Sequence, residues 1–456
     1  MTISNNKSIV TFISLPLCII CLLLRKQDVI YYGLLIYLIQ YITITVIIFK
    51  EKMNYLLFLS PSYLCISYLS LNFILGHYTV SRGIGFDLKY FHAFQNYESI
   101  NFITIFFLLC NLCVFLSMNF KSSDIIIANK FEIKNSFKHI NGLIILGLIF
   151  ALGFLTIDFS FLGGAGNFNY SIRLGFGIIL VFILNKKNVS KYFYYSTLLL
   201  LFLINHYDSK REILYIIILI VFFELIEKQK TIKFGFKELL YFSFVCLLSI
   251  FIILTSSIMR GYGNYNVDNP VEASHHIINY IKRDDAKNVL VENFELLTEY
   301  GNASNAIDYV YKREVGLLYG STFLKFIFLP IPKKIFPKKP ASMINIYTTK
   351  FAPDFSARGG SYPISVYSEA FWNFHLLALC FLYFIFKYFN RLYMKLIFYV
   401  KQKILNIKSF FLLYMYITII QFIRGSGFEL WLLYAIVSLP FSFLIIISYK
   451  KIKIIN

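Results

Sequence analysis

The sequence predicts an all-α polytopic membrane protein with about twelve transmembrane helices and one large extramembrane loop. Of its 456 residues, 58% are apolar and 19% aromatic. Apolar runs of about 16–20 residues recur along the chain, the length a helix needs to cross hydrocarbon about 30 Å thick. Ile, Leu and Phe show no two-residue alternation within them, whereas a spanning barrel strand needs about ten alternating residues.

The spans fall at 8–24, 29–49, 55–75, 101–118, 140–156, 174–184, 193–204, 212–226, 239–257, 371–386, 409–423 and 431–448. The run at 174–184 is short enough to be tilted or broken. Residues 1–257 therefore carry helices one to nine, 258–370 form the large loop, and 371–456 carry helices ten to twelve. The segments around Lys50, 121–138, 186–191, 228–237, 387–408 and 450–453 alternate correctly to share one side. The positive-inside rule makes that side cytoplasmic, with both termini on it and the large loop opposite. Arg25 and Lys26 are the exception, so the first hairpin is the least constrained. Lys7 precedes an apolar run without a small-residue cleavage site, which reads as a retained first helix.

The net charge of +20 is dispersed among many loops, which excludes nucleic acid as a partner and suits membrane orientation. All seven cysteines sit in apolar spans, so neither a disulfide framework nor a zinc site is indicated. Lysine is the default cation, 34 against 10 arginines. Nine of the ten arginines, all but Arg391, fall on the side opposite the lysine-rich loops. Arginine's planar fork binds phosphate or carboxylate through two parallel hydrogen bonds, so these positions ask for more than charge.

The large loop opens with Arg260-Gly261-Tyr262-Gly263, and Asp268-Asn269-Pro270 offers a helix cap. Apolar positions from Val271 to Leu297 recur at helical spacing, and Gly301 is expected to break the pattern before a second helix ending near Gly316. Both helices read as amphipathic, with one face on the membrane domain or the bilayer surface. The apolar run 322–329 is too short to span and is stopped by Pro330 and Pro332; Lys333, Lys334, Lys338 and Lys339 follow, suited to lipid headgroups or to a lipid-linked diphosphate. Arg358-Gly359-Gly360 combines a guanidinium with two backbone amides for an anion. Glu369, entering the tenth span, is either a helix N-terminal acid or a functional base.

Arg260-Gly261 leaving a span, Pro330-x-Pro332, Phe336-Pro337-Lys338-Lys339-Pro340, and Gly359-Gly360 followed by Glu369-Ala370-x-x-Asn373-Phe374 resemble the O-antigen or oligosaccharide repeat-unit polymerases of the Wzy type. The resemblance covers the topology and is specific across about 110 residues. It implies a GT-C-like glycosyltransferase of the bacterial inner membrane that joins undecaprenyl-diphosphate-linked oligosaccharides at the periplasmic face, with no cofactor. A chain-length regulator and a flippase are the partners it implies besides membrane lipids.

Breaking a sugar C1–O bond to a lipid diphosphate develops negative charge on the leaving group, which fixed cations stabilise. Arg260 and Arg358 are the first candidates for that clamp, with Arg211, Arg173, Lys210 and Lys339 as further diphosphate ligands. Arg82 and Arg424 share the Arg-Gly context without supporting pattern. Glu369 is the first candidate to take the acceptor hydroxyl's proton, with His206, Asp208 and His276 behind it. No D-x-D pair occurs outside, and His275 and His276 are adjacent rather than helically spaced, so a metal-independent inverting transfer is expected. A ligase acting on the same carrier would show a histidine a few residues after a loop arginine. A flippase would lack the large insert and carry its charges inside the helices.

Overall fold

The structure, a computed structural model, describes residues 3–51, 54–81, 99–118, 210–228, 296–328, 340–357, 359–425 and 427–455, with isolated positions between 174 and 182, between 275 and 282, and at 335–336. Regular structure among the described residues is helical throughout. Contacts divide the chain into two units: Met1–Lys121 with Lys287–Tyr393 and Ile419–Leu433, and Ser122–Ala286 with Met394–Thr418 and Tyr434–Asn456. Lys26–Phe49 and Ser365–Lys401 are long and apolar enough to cross a membrane; Lys7–Leu23, Ile100–Leu116, Ile217–Ile226, Ile407–Ile417 and Phe428–Pro440 are apolar but shorter. The expected spans at 140–156, 193–204 and 239–257, and the Asp268-Asn269-Pro270 cap, lie outside the described residues.

The helices of the first unit are α1 (Ile3–Leu23), α2 (Lys26–Phe49), α3 (Asn54–Phe58), α4 (Pro61–Ser81), α5 (Ile100–Leu116), α6 (Leu296–Tyr311), α7 (Ser321–Phe328), α8 (Met343–Phe351), α9 (Pro353–Ala357), α10 (Ser365–Phe374), α11 (Ala378–Lys401), α12 (Ile419–Arg424) and α13 (Phe428–Ile455). Helices α11 and α13 begin in this unit and continue beyond it. Within it α2 packs on α4, α1 on α5, and α6 between α4 and α10. Two amides tie five of these helices together. Asn111 of α5 donates to Gln40 Oε1 and Ser70 Oγ, both at 3.1 Å, and accepts from the Tyr367 hydroxyl at 3.0 Å, while Gln40 reaches Ser14 at 2.9 Å. Between apolar helices such hydrogen bonds supply the specificity that burial of apolar surface alone does not. Outward from this node the surfaces are apolar: Phe12, Leu22, Leu23, Tyr31, Leu377 and Phe384 are all exposed.

Local chemistry breaks three of the expected spans. The 55–75 run divides at Ser60-Pro61, because proline cannot donate into a continuing helix and opens α4 at its first turn, capped by Ser60 Oγ accepting from Tyr63 N at 3.2 Å. The 371–386 run divides at His375, whose positive φ of 51° ends α10. The 409–423 run divides at Thr418, between Ile407–Ile417 and α12. Gly301 does the reverse: it lies inside α6, which runs through it unbroken. Nor is α6 one-sided, since positions 300–308 are all buried; its small residues Gly301, Ala303, Ser304 and Ala306 let neighbours approach on every face.

In the second unit, the helix Lys210–Lys228 buries Tyr215, Leu219, Phe222, Phe223 and Ile226. Phe222 meets Tyr416 of Ile407–Ile417 at a centroid distance of 4.8 Å, and Phe223 meets Phe182 at 5.6 Å. Asn406 caps Ile407–Ile417 in a reciprocal box, its Oδ1 accepting from Ser409 N at 2.7 Å while Ser409 Oγ accepts from Asn406 N at 2.9 Å.

In the α2/α4 seam Gly33 leaves room for the His77 ring. His77 Nε2 donates to the Val29 carbonyl at 3.0 Å, so in the neutral ring Nδ1 accepts from the Tyr300 hydroxyl at 2.7 Å. A Cβ on Gly33 would lie 2.4 Å from that ring nitrogen. Gly33→Ala is therefore expected to displace His77 and lower stability by about 1–3 kcal/mol, the range for overpacking a filled site. Gly316→Ala, where a Cβ meets nothing within 4 Å, is the control, and the melting temperature of the purified chain in detergent is the measurement.

Candidate functional site

Helices α7, α10 and α13 bring two carboxylates and one ammonium into the interior of the first unit. Glu369 of α10 is fully buried. Its Oε1 accepts from the Thr322 hydroxyl of α7 at 2.9 Å, and that hydroxyl oxygen accepts in turn from Asn373 Nδ2 at 2.9 Å. Asn373 stands four residues after Glu369 and also donates to its backbone carbonyl at 2.8 Å, so one helical turn aligns both side chains. Glu429, also fully buried, receives Lys325 Nζ at 3.0 Å from α7, one turn beyond Thr322. Gly427 permits this approach, since its φ is +96° and a Cβ there would lie 2.7 Å from the Glu429 carboxylate.

Two carboxyl groups share one ammonium. Lys325 is paired with Glu429, while Glu369 lies within electrostatic reach of both. Oε2 of Glu369, Oε2 of Glu429 and Oδ1 of Asn373 are shielded from solvent without a hydrogen-bond partner among the described residues. Three acceptor atoms in one buried cluster lack a donor, an arrangement that native interiors rarely leave unanswered.

A second ionic node lies alongside. Glu299 of α6 accepts the Tyr68 hydroxyl at 2.9 and 2.7 Å, accepts Asn72 Nδ2 at 2.8 Å, and pairs with Arg424 at the end of α12. Gly425, at φ +85°, lets the chain pass so close to α10 that a Cβ would sit 2.6 Å from the Ser365 backbone nitrogen. Ser365 is one turn before Glu369, so the Arg424-Gly425 segment abuts the helix that carries the unpaired acid.

Of the residues expected to act, Glu369 is placed by this structure in the cluster just described. Lys210 and Arg211 lie in the first turn of the helix Lys210–Lys228, in the second unit. Arg260, Arg358, Arg173, Lys339, His206, Asp208 and His276 lie outside the described residues. The amides of Gly359 and Gly360, expected to face an anion, instead donate to the Ser356 and Phe355 carbonyls at 2.9 Å and close the end of α9. Sequence reasoning missed Lys325, Glu299 and Glu429 and ranked Arg424 low. A signal was present for Glu429, which stands just before an apolar run as Glu369 does. Lys325, alone between apolar neighbours in 322–329, is a second such signal. No group of three or more His, Cys, Asp or Glu side chains comes together as a metal site among the described residues. No protein-family profile, curated protein or solved structure matches the chain.

Lys325→Met should strand Glu429 in an apolar interior and lower stability by about 3–5 kcal/mol, the cost of removing one partner of a buried pair. The double change Lys325→Met with Glu429→Gln removes both charges and is expected to recover most of that loss. Thermal unfolding of purified single and double variants checks the difference.

Proposed function

We propose that this chain is an O-antigen polymerase of the Wzy type, joining undecaprenyl-diphosphate-linked oligosaccharide units at the periplasmic face of a bacterial inner membrane. The observation that carries the reading is Glu369. It is a fully buried carboxylate with one oxygen unpartnered, in the helix that opens the apolar stretch Ser365–Lys401. An ionisable side chain at the head of a membrane helix is costly, and a functional role is the default explanation. The segments Pro330-x-Pro332, Phe336 to Pro340 and Gly359-Gly360 to Asn373-Phe374 resemble that family.

The membrane part of the reading is supported by the two long apolar helices and the exposed apolar flanks. Lysine asymmetry among the short loops orients the chain with both termini in the cytoplasm, and apolar run length gives twelve spans, with the 258–370 insert entering from the periplasmic side and its helix α6 packed back against α4, α5 and α10. In the transfer, Glu369 takes the proton of the acceptor hydroxyl as its oxygen bonds to C1 of the donor sugar. The C1–O bond to the diphosphate breaks with inversion, and undecaprenyl diphosphate leaves with the bonding electron pair. Arg260 and Arg358, assisted by Arg173, Arg211, Lys210 and Lys339, hold the departing charge. No metal ion is required, because guanidinium groups supply the positive field. Arg260→Lys and Arg358→Lys retain charge and lose the fork, so each is expected to shorten the polysaccharide ladder.

Deletion of the gene is expected to leave lipopolysaccharide core bearing a single repeat unit; bare core would instead indicate the ligase. A periplasmic reporter fused after Lys339 should be active, and one fused after Lys230 silent. With purified protein and lipid-linked repeat units, Glu369→Gln should bind the carrier and lose about 10²–10⁴-fold in turnover at matched folded protein. Near-normal turnover would remove Glu369 from the chemistry and turn attention to His206, Asp208 and His276.

A further inference from the structure

Helix α6 carries Asn302, Asn305 and Asp308 at a spacing of three, which aligns them along one face. Each is more than nine-tenths buried, at 6%, 9% and 8% exposure. Part of each side chain is satisfied. The Tyr347 hydroxyl of α8 donates to Asn302 Oδ1 at 2.9 Å and accepts from Asn305 Nδ2 at 3.0 Å, and Lys312 pairs with Asp308 Oδ2 at 2.8 Å. The other half is not. Asn302 Nδ2, Asn305 Oδ1 and Asp308 Oδ1 are shielded from solvent and have no hydrogen-bond partner among the described residues.

The unpartnered set is one donor and two acceptors. A bare cation would want acceptors only and an anion donors only, whereas hydroxyl groups donate and accept at once. Aromatic rings border the same place: Phe351 lies 4.3 Å from Tyr309 and 4.9 Å from Tyr347, centroid to centroid. Planar polar side chains that fix hydroxyls, beside aromatic rings that cover apolar C–H surface, suit a sugar ring. The face is also close to the candidate acid, because Ser368, next to Glu369, donates to the Ala303 carbonyl of α6 at 2.9 Å.

We propose that Asn302, Asn305 and Asp308 of α6, with Tyr309, Tyr347 and Phe351, form a subsite for one sugar ring of the oligosaccharide. The naming of that substrate rests on the polymerase reading above. The nine-residue helix α8 covers the face, held there by the Tyr347 hydroxyl and the rings around Phe351. A sugar enters by lifting α8 and takes over the hydrogen bonds of Tyr347.

The probes are the undecaprenyl-diphosphate-linked oligosaccharide extracted from cells that make the protein, and the lipid-free oligosaccharide released from it by mild acid. With the full chain in nanodiscs, Asn305→Ala and Asp308→Asn should raise KM roughly tenfold or more while kcat stays within about twofold. Calorimetric affinity for the lipid-free oligosaccharide should fall in step. Should Asn305→Ala fail to fold, Asp308→Asn, which keeps shape, carries the test. Unchanged KM and affinity in the folded variants, with only the melting temperature altered, overturn the subsite and leave buried water as the partner of these atoms. Wild type that makes no polymer yet binds the lipid-free oligosaccharide through Asn305 keeps the subsite and sinks the polymerase reading. Wild type that polymerises while the variants match it does the opposite, and a wild type that does not bind the lipid-free oligosaccharide overturns the subsite in either case.

Discussion

A helix that carries Glu299, Asn302, Asn305 and Asp308 cannot enter an apolar bundle unless its neighbours supply donors and acceptors for it, because each stranded polar group costs about 1–3 kcal/mol. Much of the first unit is arranged around meeting that demand. Tyr68 and Asn72 of α4 and Arg424 of α12 converge on Glu299, His77 of α4 meets Tyr300, Tyr347 of α8 bridges two asparagines, and Ser368 of α10 takes the Ala303 carbonyl. Each bond fixes a helix in register along α6. Apolar contacts alone would let those helices slide, since one Leu or Phe packs nearly as well as the next.

The same requirement explains where glycine is placed. Gly425 and Gly427 flank the turn between α12 and α13, and both have positive φ with almost no room for a side chain. They let Arg424 finish one helix against Ser365 while Glu429 begins the next within reach of Lys325. The short sequence Arg424-Gly425-Ser426-Gly427 thus delivers two opposite charges to two different nodes within six residues. In the sequence it reads as a loop.

Helical class was legible because apolar run length is a one-dimensional property, and Glu369 was legible because a carboxylate at the head of an apolar run is an anomaly within its own segment. Helix breaks were harder. Ser60-Pro61 carried a readable cap and stop, but His375 turns at a positive φ with no glycine or proline beside it to announce the break, its ring lying against Phe371. The burial of α6 was illegible in principle. Its alternation of small and polar residues looks like a surface helix until Tyr68, Tyr347 and Arg424, far away in sequence, are seen to answer it. Arg424 was undervalued for the same reason, as its partner Glu299 stands 125 positions earlier.

Stability does not explain the ionic clusters. Replacing a buried ion pair with apolar residues of similar volume is often neutral or stabilising, so helices α7, α10 and α13 could be held together more cheaply without charge. What two well-anchored pairs do provide is a fixed field. Glu299 and Glu429 each have a cation, which leaves Glu369 as the acid whose surroundings are set by others while its own Oε2 has no hydrogen-bond partner among the described residues. Thr322, whose hydroxyl is itself oriented by Asn373, holds its other oxygen in a single orientation. A carboxylate kept rigid, buried and incompletely satisfied is poorly suited to bracing a fold and well suited to meeting a proton donor that arrives from outside, as an acceptor hydroxyl would.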